Sequence, residues 1–180
     1  DFSGITAIAQ GATDTLPEST ARAGDITVRT PALALRDGAE ISTAAEGSGD
    51  GGSIALFTDT LLLDGGFITA SAKTGTGGSI AIDSTASVTL ANGGLISARA
   101  LGPGDAGRIE LDAGRQLELS NSAITTESAL SDGGEITLRA TKLVSLFRSE
   151  VTTSVAGGVG GDIDVDPKNM VMNESRIIAR

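Results

Sequence analysis

Three aspartates alternate with aliphatic residues in Asp162-Ile163-Asp164-Val165-Asp166, the stretch of this sequence best suited to chemistry. Residues two apart in an extended strand share a face, so all three carboxylates project to one side. Clustered carboxylates are hard oxygen donors of the kind Ca²⁺ takes, about six to eight at a time, and a nearby arginine would then support cleavage of an acidic polysaccharide. Upstream stretches supply Glu135 and Arg139, and Arg108, Glu110 and Asp112, at corresponding positions. The simpler reading of the same residues is a lace of cross-strand pairs, Arg108 with Glu135 and Arg139 with Asp112 or Asp166, each contributing about 0–1 kcal/mol when exposed. Charge without convergent geometry does not make a site, so the lace is the expected arrangement. Asp162, Asp164 and Asp166 stand as the calcium candidates.

Other chemistries are closed by composition. The 180 residues include no His and no Cys, which excludes imidazole zinc sites, thiolate nucleophiles, disulfides and Ser-His-Asp triads. There is no Trp or Tyr to stack on a sugar, and nothing among the 23 acids singles out a glycosidase-like pair. A net charge of −10 and an isoelectric point near 4.3 oppose polyanionic partners, so neither nucleic acid nor an anionic membrane surface is expected. No apolar run approaches the roughly 20 residues of a membrane span, and Asp1-Phe2-Ser3-Gly4-Ile5 does not open a signal peptide. Mean hydropathy of +0.13, with 39% hydrophobic residues regularly placed, is enough for an aliphatic core and argues against disorder despite 25 Gly.

The acidic strand is one copy of a recurring unit. Gly24-Asp25-Ile26-Thr27-Val28, Gly52-Ser53-Ile54-Ala55-Leu56, Gly78-Ser79-Ile80-Ala81-Ile82, Gly107-Arg108-Ile109-Glu110-Leu111, Gly134-Glu135-Ile136-Thr137-Leu138 and Gly161-Asp162-Ile163-Asp164-Val165 succeed one another at 28, 26, 29, 27 and 27 residues. A period in this range means that each unit buries its apolar face on the next. Each unit holds two more apolar-x-apolar segments. The second is Leu33/Leu35, Leu61/Leu63, Val88/Leu90, Leu117/Leu119, Val144/Leu146 and Met170/Met172; the third begins at Ile41, Ile68, Ile96, Ile124, Val151 and Ile177. Period-2 spacing bounded by Gly, Asp, Asn and Ser signals short half-buried strands, and no window sustains helical spacing. The fold expected is a right-handed parallel β-helix of about six rungs of three short strands. Residues 1–23 would be a partial rung and connecting loop, and 24–180 the repeats, divided at 24–51, 52–77, 78–106, 107–133, 134–160 and 161–180.

Within that frame, Asp37-Gly38, Gly65-Gly66, Asn92-Gly93 and Asn121-Ser122 form turns between second and third strands. Two residues into the third strand, Thr43, Ala70, Ala98, Thr126, Thr153 and Ala179 make a small inner corner, where each Thr would need a hydroxyl or carbonyl partner. Gly/Asp-rich loops such as Gly47 to Gly52, Gly104 to Gly107 and Ser131 to Gly134 recur about every 27 residues rather than every nine, so they read as turns and not as calcium-binding nonapeptides. Gly75-Thr76-Gly77-Gly78-Ser79 lacks the Gly-Lys-Ser/Thr ending of a phosphate loop. The outward column Ser42, Thr69, Ser97, Thr125, Thr152 is a hydroxyl ladder, but Arg99 and Glu127 beside it interrupt an ice-matching lattice.

Residues 24–180 resemble the filamentous-haemagglutinin-like passengers of bacterial two-partner secretion. The resemblance is most specific at Gly160-Gly161-Asp162-Ile163-Asp164-Val165-Asp166-Pro167 and Met170-Val171-Met172-Asn173-Glu174-Ser175-Arg176-Ile177-Ile178-Ala179. There the family has Gly-Gly-Asn-Ile, Asp-Pro, a short apolar strand and Asn-x-Ser-Arg-Ile-Ile-Ala. Leu33 to Thr43 looks like its generic repeat. The resemblance implies an exoprotein passed through an outer-membrane secretion partner and displayed on, or released from, a Gram-negative-type surface, where it meets a host-cell or matrix ligand. The family's amino-terminal secretion domain is not among these residues, which suggests an excerpt of a longer passenger. The reading is therefore a non-catalytic shaft of a secreted adhesin, without cofactor or membrane insertion. The alternatives are a calcium-dependent polysaccharide lyase or hydrolase, and a short subunit of an end-to-end fibre, since open strand edges at both ends invite stacking.

Overall fold

In the computed structural model, which describes residues 4–9 and 20–180, the chain is an all-β solenoid of about six stacked turns. No helix occurs among the described residues, and therefore none long and apolar enough to cross a membrane. The polar loop expected over residues 10–23 lies mostly outside the described residues. The strand expected at its start is β1 (Gly4–Ala9), which pairs in parallel with the third strand of the next rung, Ile5 opposite Ile41.

The first rung is β2 (Ile26–Arg29), β3 (Ala32–Arg36) and β4 (Glu40–Ala45). The second is β5 (Ser53–Asp64) and β6 (Phe67–Ala72), and the third β7 (Ser79–Ala91) and β8 (Leu95–Ala100). The fourth is β9 (Arg108–Asp112), β10 (Gln116–Ser120) and β11 (Ala123–Ser128). The fifth is β12 (Glu135–Phe147) with β13 (Glu150–Val155), and the sixth β14 (Ile163–Asn173) with β15 (Arg176–Ala179). Three separate strands per rung thus occur only in the first and fourth; elsewhere the first two merge into one bent strand. Buried Thr58 and Ser84 explain how the chain bends while the ladder continues. Thr58 Oγ1 donates to Pro31 O and Thr60 O, and Ser84 Oγ to Asp59 O and Ser87 O, at 2.8–3.2 Å. In the fourth rung the corner is interrupted at Gly114, which takes a φ of +62° with its N–H held by Asp112 Oδ1. The merged strands of the fifth and sixth rungs have Ala140 and Pro167 at the bend.

First and second segments form an eight-stranded parallel sheet, and third segments, with β1, a seven-stranded one. Registers keep the inward aliphatic residues in continuous columns. Ile54, Ile80, Ile109, Ile136 and Ile163 stack in line, as do Ile41, Ile68, Ile96, Ile124, Val151 and Ile177. From the second rung to the fifth these side chains are essentially fully buried. Rungs spaced about 4.8 Å apart give a rod roughly 30 Å long.

The inner corner shows why each unit opens on glycine. A Cβ on Gly52, Gly78, Gly107, Gly134 or Gly161 would overlap the carbonyl oxygen of the glycine one rung earlier. On its other side it would crowd Thr43, Ala70, Ala98 or Thr126 in the first four of these rungs. Thus the glycine column and the small column face each other because backbones meet there. Thr43 Oγ1 donates to Gly52 O at 3.3 Å and Thr153 Oγ1 to Gly161 O at 3.0 Å, the carbonyl partners an inward Thr requires. Thr126 Oγ1, equally buried, has no partner among the described residues. Thr126→Val should therefore leave stability unchanged or raise it by about 1 kcal/mol, whereas Thr153→Val should lower it by about 1 kcal/mol. Urea midpoints of the two variants check this; equal losses would contradict it.

Candidate functional site

The acidic triad sits on the outward face of β14, in the columns the repeat period demands. Asp164 lies opposite Thr137 and Asp166 opposite Arg139, with Asp162 just ahead of the strand in the column of Arg108 and Glu135. All three are exposed, and no side chain among the described residues bonds to their carboxylates. An extended strand advances about 6.7 Å every two residues, so the three carboxylates spread over roughly 13 Å, far beyond the span of ligands around 2.3–2.6 Å from one Ca²⁺. Among the described residues no group of three or more acidic side chains is gathered as a metal site would be.

The two rungs before it form the lace. Arg108 Nε lies 3.5 Å from Glu135, the pair expected from the sequence. Arg139 differs: Nη1 reaches diagonally to Glu110 Oε1 at 3.0 Å instead of straight to Asp112 or Asp166. Asp112 is committed elsewhere, its Oδ1 accepting the Gly114 N–H at 2.9 Å to shape the corner, and Glu110 has the longer reach. These side chains are about half exposed, so each pair contributes little. At the other end of the face Arg29 stacks on Phe57, 3.9 Å from the ring centroid.

The Gly/Asp loops hold an arrangement that turn chemistry alone did not announce. Asp50 Oδ1 accepts the Thr76 N–H at 2.9 Å, Asp105 Oδ1 the Asp132 N–H at 3.2 Å, and Asp132 Oδ1 the Val159 N–H at 2.8 Å. Each carboxylate clasps the same loop position one rung on. The signal was available: Asp50, Asp105 and Asp132 each stand two residues before the glycine that opens the next unit. Asp25 does the same at the strand start, accepting the Ser53 N–H at 2.8 Å beside Arg22.

The Ser131 hydroxyl and then the Asp132 N–H hold the Asp105 carboxyl below the ordinary aspartate value of 3.8. The Ser53 N–H does so for Asp25, against a small opposing effect of burial and with help from Arg22. A carboxyl whose folded value is depressed contributes stability that is complete above its unfolded value and is lost as pH falls through the folded one. Stability should therefore decline below about pH 4, and Asp105→Asn should flatten that acid limb by lowering its neutral-pH end while leaving the end near pH 2 unaltered. Urea unfolding from neutral pH to about pH 2 measures it; an unchanged acid limb would contradict it.

Two further columns complete the surface. The hydroxyl ladder is sunken rather than presented: Ser42, Ser97 and Thr152 are 9%, 3% and 7% exposed. Thr125 Oγ1 donates to Ser97 Oγ at 3.1 Å and Thr69 Oγ1 to Glu40 at 2.8 Å, so these hydroxyls bond along the stack instead of forming a flat array. At the turn before the third strand every rung has a left-handed residue, Asp37, Gly65, Asn92, Asn121, Arg148 and Glu174, and in the first and third rungs Gly38 and Gly93 follow as a second one. Arg148 and Glu174 are poor residues for that backbone and went unrecognised in the sequence. The turn tolerates them because a serine ladder follows: Ser122 N–H donates to Ser149 Oγ and Ser149 N–H to Ser175 Oγ, at 3.2 and 3.0 Å.

Fold and surface together define a parallel β-solenoid whose polar side chains are engaged mainly in holding one rung to the next. No protein-family model, curated protein or solved structure matches this chain.

Proposed function

We propose that this chain is a non-catalytic shaft segment of a secreted or surface-displayed adhesin-type exoprotein of the filamentous-haemagglutinin-like kind. The observation that carries the reading is the continuous stack: aliphatic columns and parallel ladders run through all six rungs, with register shifts confined to the corner between first and second segments. The main polar clusters, the arginine-glutamate lace, the aspartate clasps and the serine ladder, are bonded between rungs. Such a body resists bending and holds whatever lies beyond it at a fixed distance, which is what a stalk must do. An outer-membrane secretion partner and a host-surface ligand follow from the sequence resemblance.

The test is display. Placed behind a two-partner secretion domain in a Gram-negative-type host, the segment should reach the surface, hold a distal epitope tag clear of the envelope, and leave acidic polysaccharides intact in calcium. Failure to hold the tag at distance would remove the shaft reading. Polysaccharide cleavage abolished by Asp164→Ala or Arg139→Ala would replace it with an enzyme.

A further inference from the structure

The corner between second and third strands carries a notch that the shaft role does not use. In the outward column that starts the third strands, Phe67, Leu95, Ala123, Glu150 and Arg176 follow one another. The methyl group of Ala123 leaves a gap between the larger Leu95 and Glu150, and Gly93 and Gly94 leave the adjoining corner bare. The resulting depression has a volume of about 410 Å³, within the size range of small-molecule sites. One end is apolar, walled by Leu95 and Phe67. At the other end two ion pairs of opposite polarity lie side by side: Arg148 Nε on Glu174 Oε2 at 2.6 Å, and Arg176 Nη2 on Glu150 Oε2 at 3.0 Å. The buried Ser149 lies between them in sequence and fixes the turn.

We propose that this notch binds a neutral saccharide of one or two rings. The four charges cancel, so the site offers no net field to an ion, and the chain's charge of −10 repels acidic or sulfated sugars. Each arginine commits one nitrogen to its partner, and each glutamate one oxygen. The remaining guanidinium N–H groups and carboxylate oxygens are a dense set of donors and acceptors, already oriented by the ion pairs, that vicinal hydroxyls satisfy in both roles. A pyranose also has an apolar C–H face, and Leu95 and Phe67 provide the surface for it. A basic peptide would meet Arg148 and Arg176 beside the free carboxylate oxygens, a repulsion that a neutral sugar avoids. The proposal is independent of the shaft reading.

The experiment uses ¹⁵N-labelled protein with cellobiose, lactose and N,N′-diacetylchitobiose as probes, and a heparin disaccharide and an oligolysine as comparators. Millimolar neutral disaccharide should shift the amides of Leu95, Ala123, Ser149 and Glu150. Ala123→Arg, which fills the notch from an outward position, should weaken the response at least about tenfold while leaving the melting temperature unchanged. If Ala123→Arg lowers the melting temperature, Leu95→Ser reads the same loss. No shift with any of the three neutral sugars, an undiminished response in the filled notch, or binding confined to a comparator would overturn the proposal.

Discussion

Gly107→Ala is expected to cost about 3 kcal/mol or more, or to prevent folding, for the sake of one methyl group. That methyl would be driven into the carbonyl of Gly78 on one side and against Ala98 Cβ on the other. Neither is the movable end of a long side chain. The Gly78 carbonyl is backbone held within the stack, so relief requires two rungs to separate. Their separation in turn strains the ladders on both sheets, since first and third strands of those rungs are paired throughout. Gly93→Ala is the control: its Cβ would meet nothing within 4 Å, but φ is +87°, so the penalty is only the left-handed backbone, about 1–2 kcal/mol. Urea unfolding of both variants separates steric from conformational causes. Equal destabilisation would show that the glycine column is kept for something other than backbone approach.

The second large effect depends on position along the rod. Leu111→Ala removes a fully buried side chain from the middle of a column, between Ile82 and Leu138, and should cost about 2–5 kcal/mol. Met172→Ala removes a similar volume from the last rung, where Met172 is already 42% exposed, and should cost about 1 kcal/mol or less. Both residues point inward, Leu111 in a first-segment column and Met172 in the second-segment column of Leu119 and Leu146, so the contrast measures how much a buried column position owes to neighbours on both sides. Denaturation of the pair, with amide exchange of the flanking rungs, reads it. Similar losses would mean the columns do not transmit stability from rung to rung.

Much of this architecture was legible because the residues that fix it are small or aliphatic and recur. The glycine-Ile-x-aliphatic unit located the rungs, and period-2 spacing located the inward columns, so registers such as Arg139 opposite Asp166 followed by counting. What counting missed depends on three-dimensional competition. Arg139 turned to Glu110 because a local N–H had already taken Asp112. In the second and third rungs Thr58 and Ser84 bond around the bend where the first two strands merge, a property of hydroxyl geometry rather than of pattern. Arg148 and Glu174 occupy left-handed turns that their residue types argue against, because the column and the serine ladder impose the conformation. For the acidic triad, alternation correctly gave a shared face; the distance along that face, which separates a row of charges from a chelate, was the missing quantity.

The constant register has a consequence for how such a chain can change length. When Ile80 follows Ile54 in the same column, and Ile109, Ile136 and Ile163 follow in turn, loss of one whole coil brings an isoleucine to an isoleucine site and a glycine to a glycine site. Loops and corners absorb small differences, as the spacings of 26 to 29 residues show, but a loss within a strand brings side chains against the wrong columns, and a one-residue slip there turns every inward residue outward. Unequal recombination between similar coding repeats would therefore yield foldable products in whole-coil steps and almost nowhere between. Length would thus be a heritable, quantised trait: a gene of this design can retune its rod in increments of about 4.8 Å without inventing a single new contact.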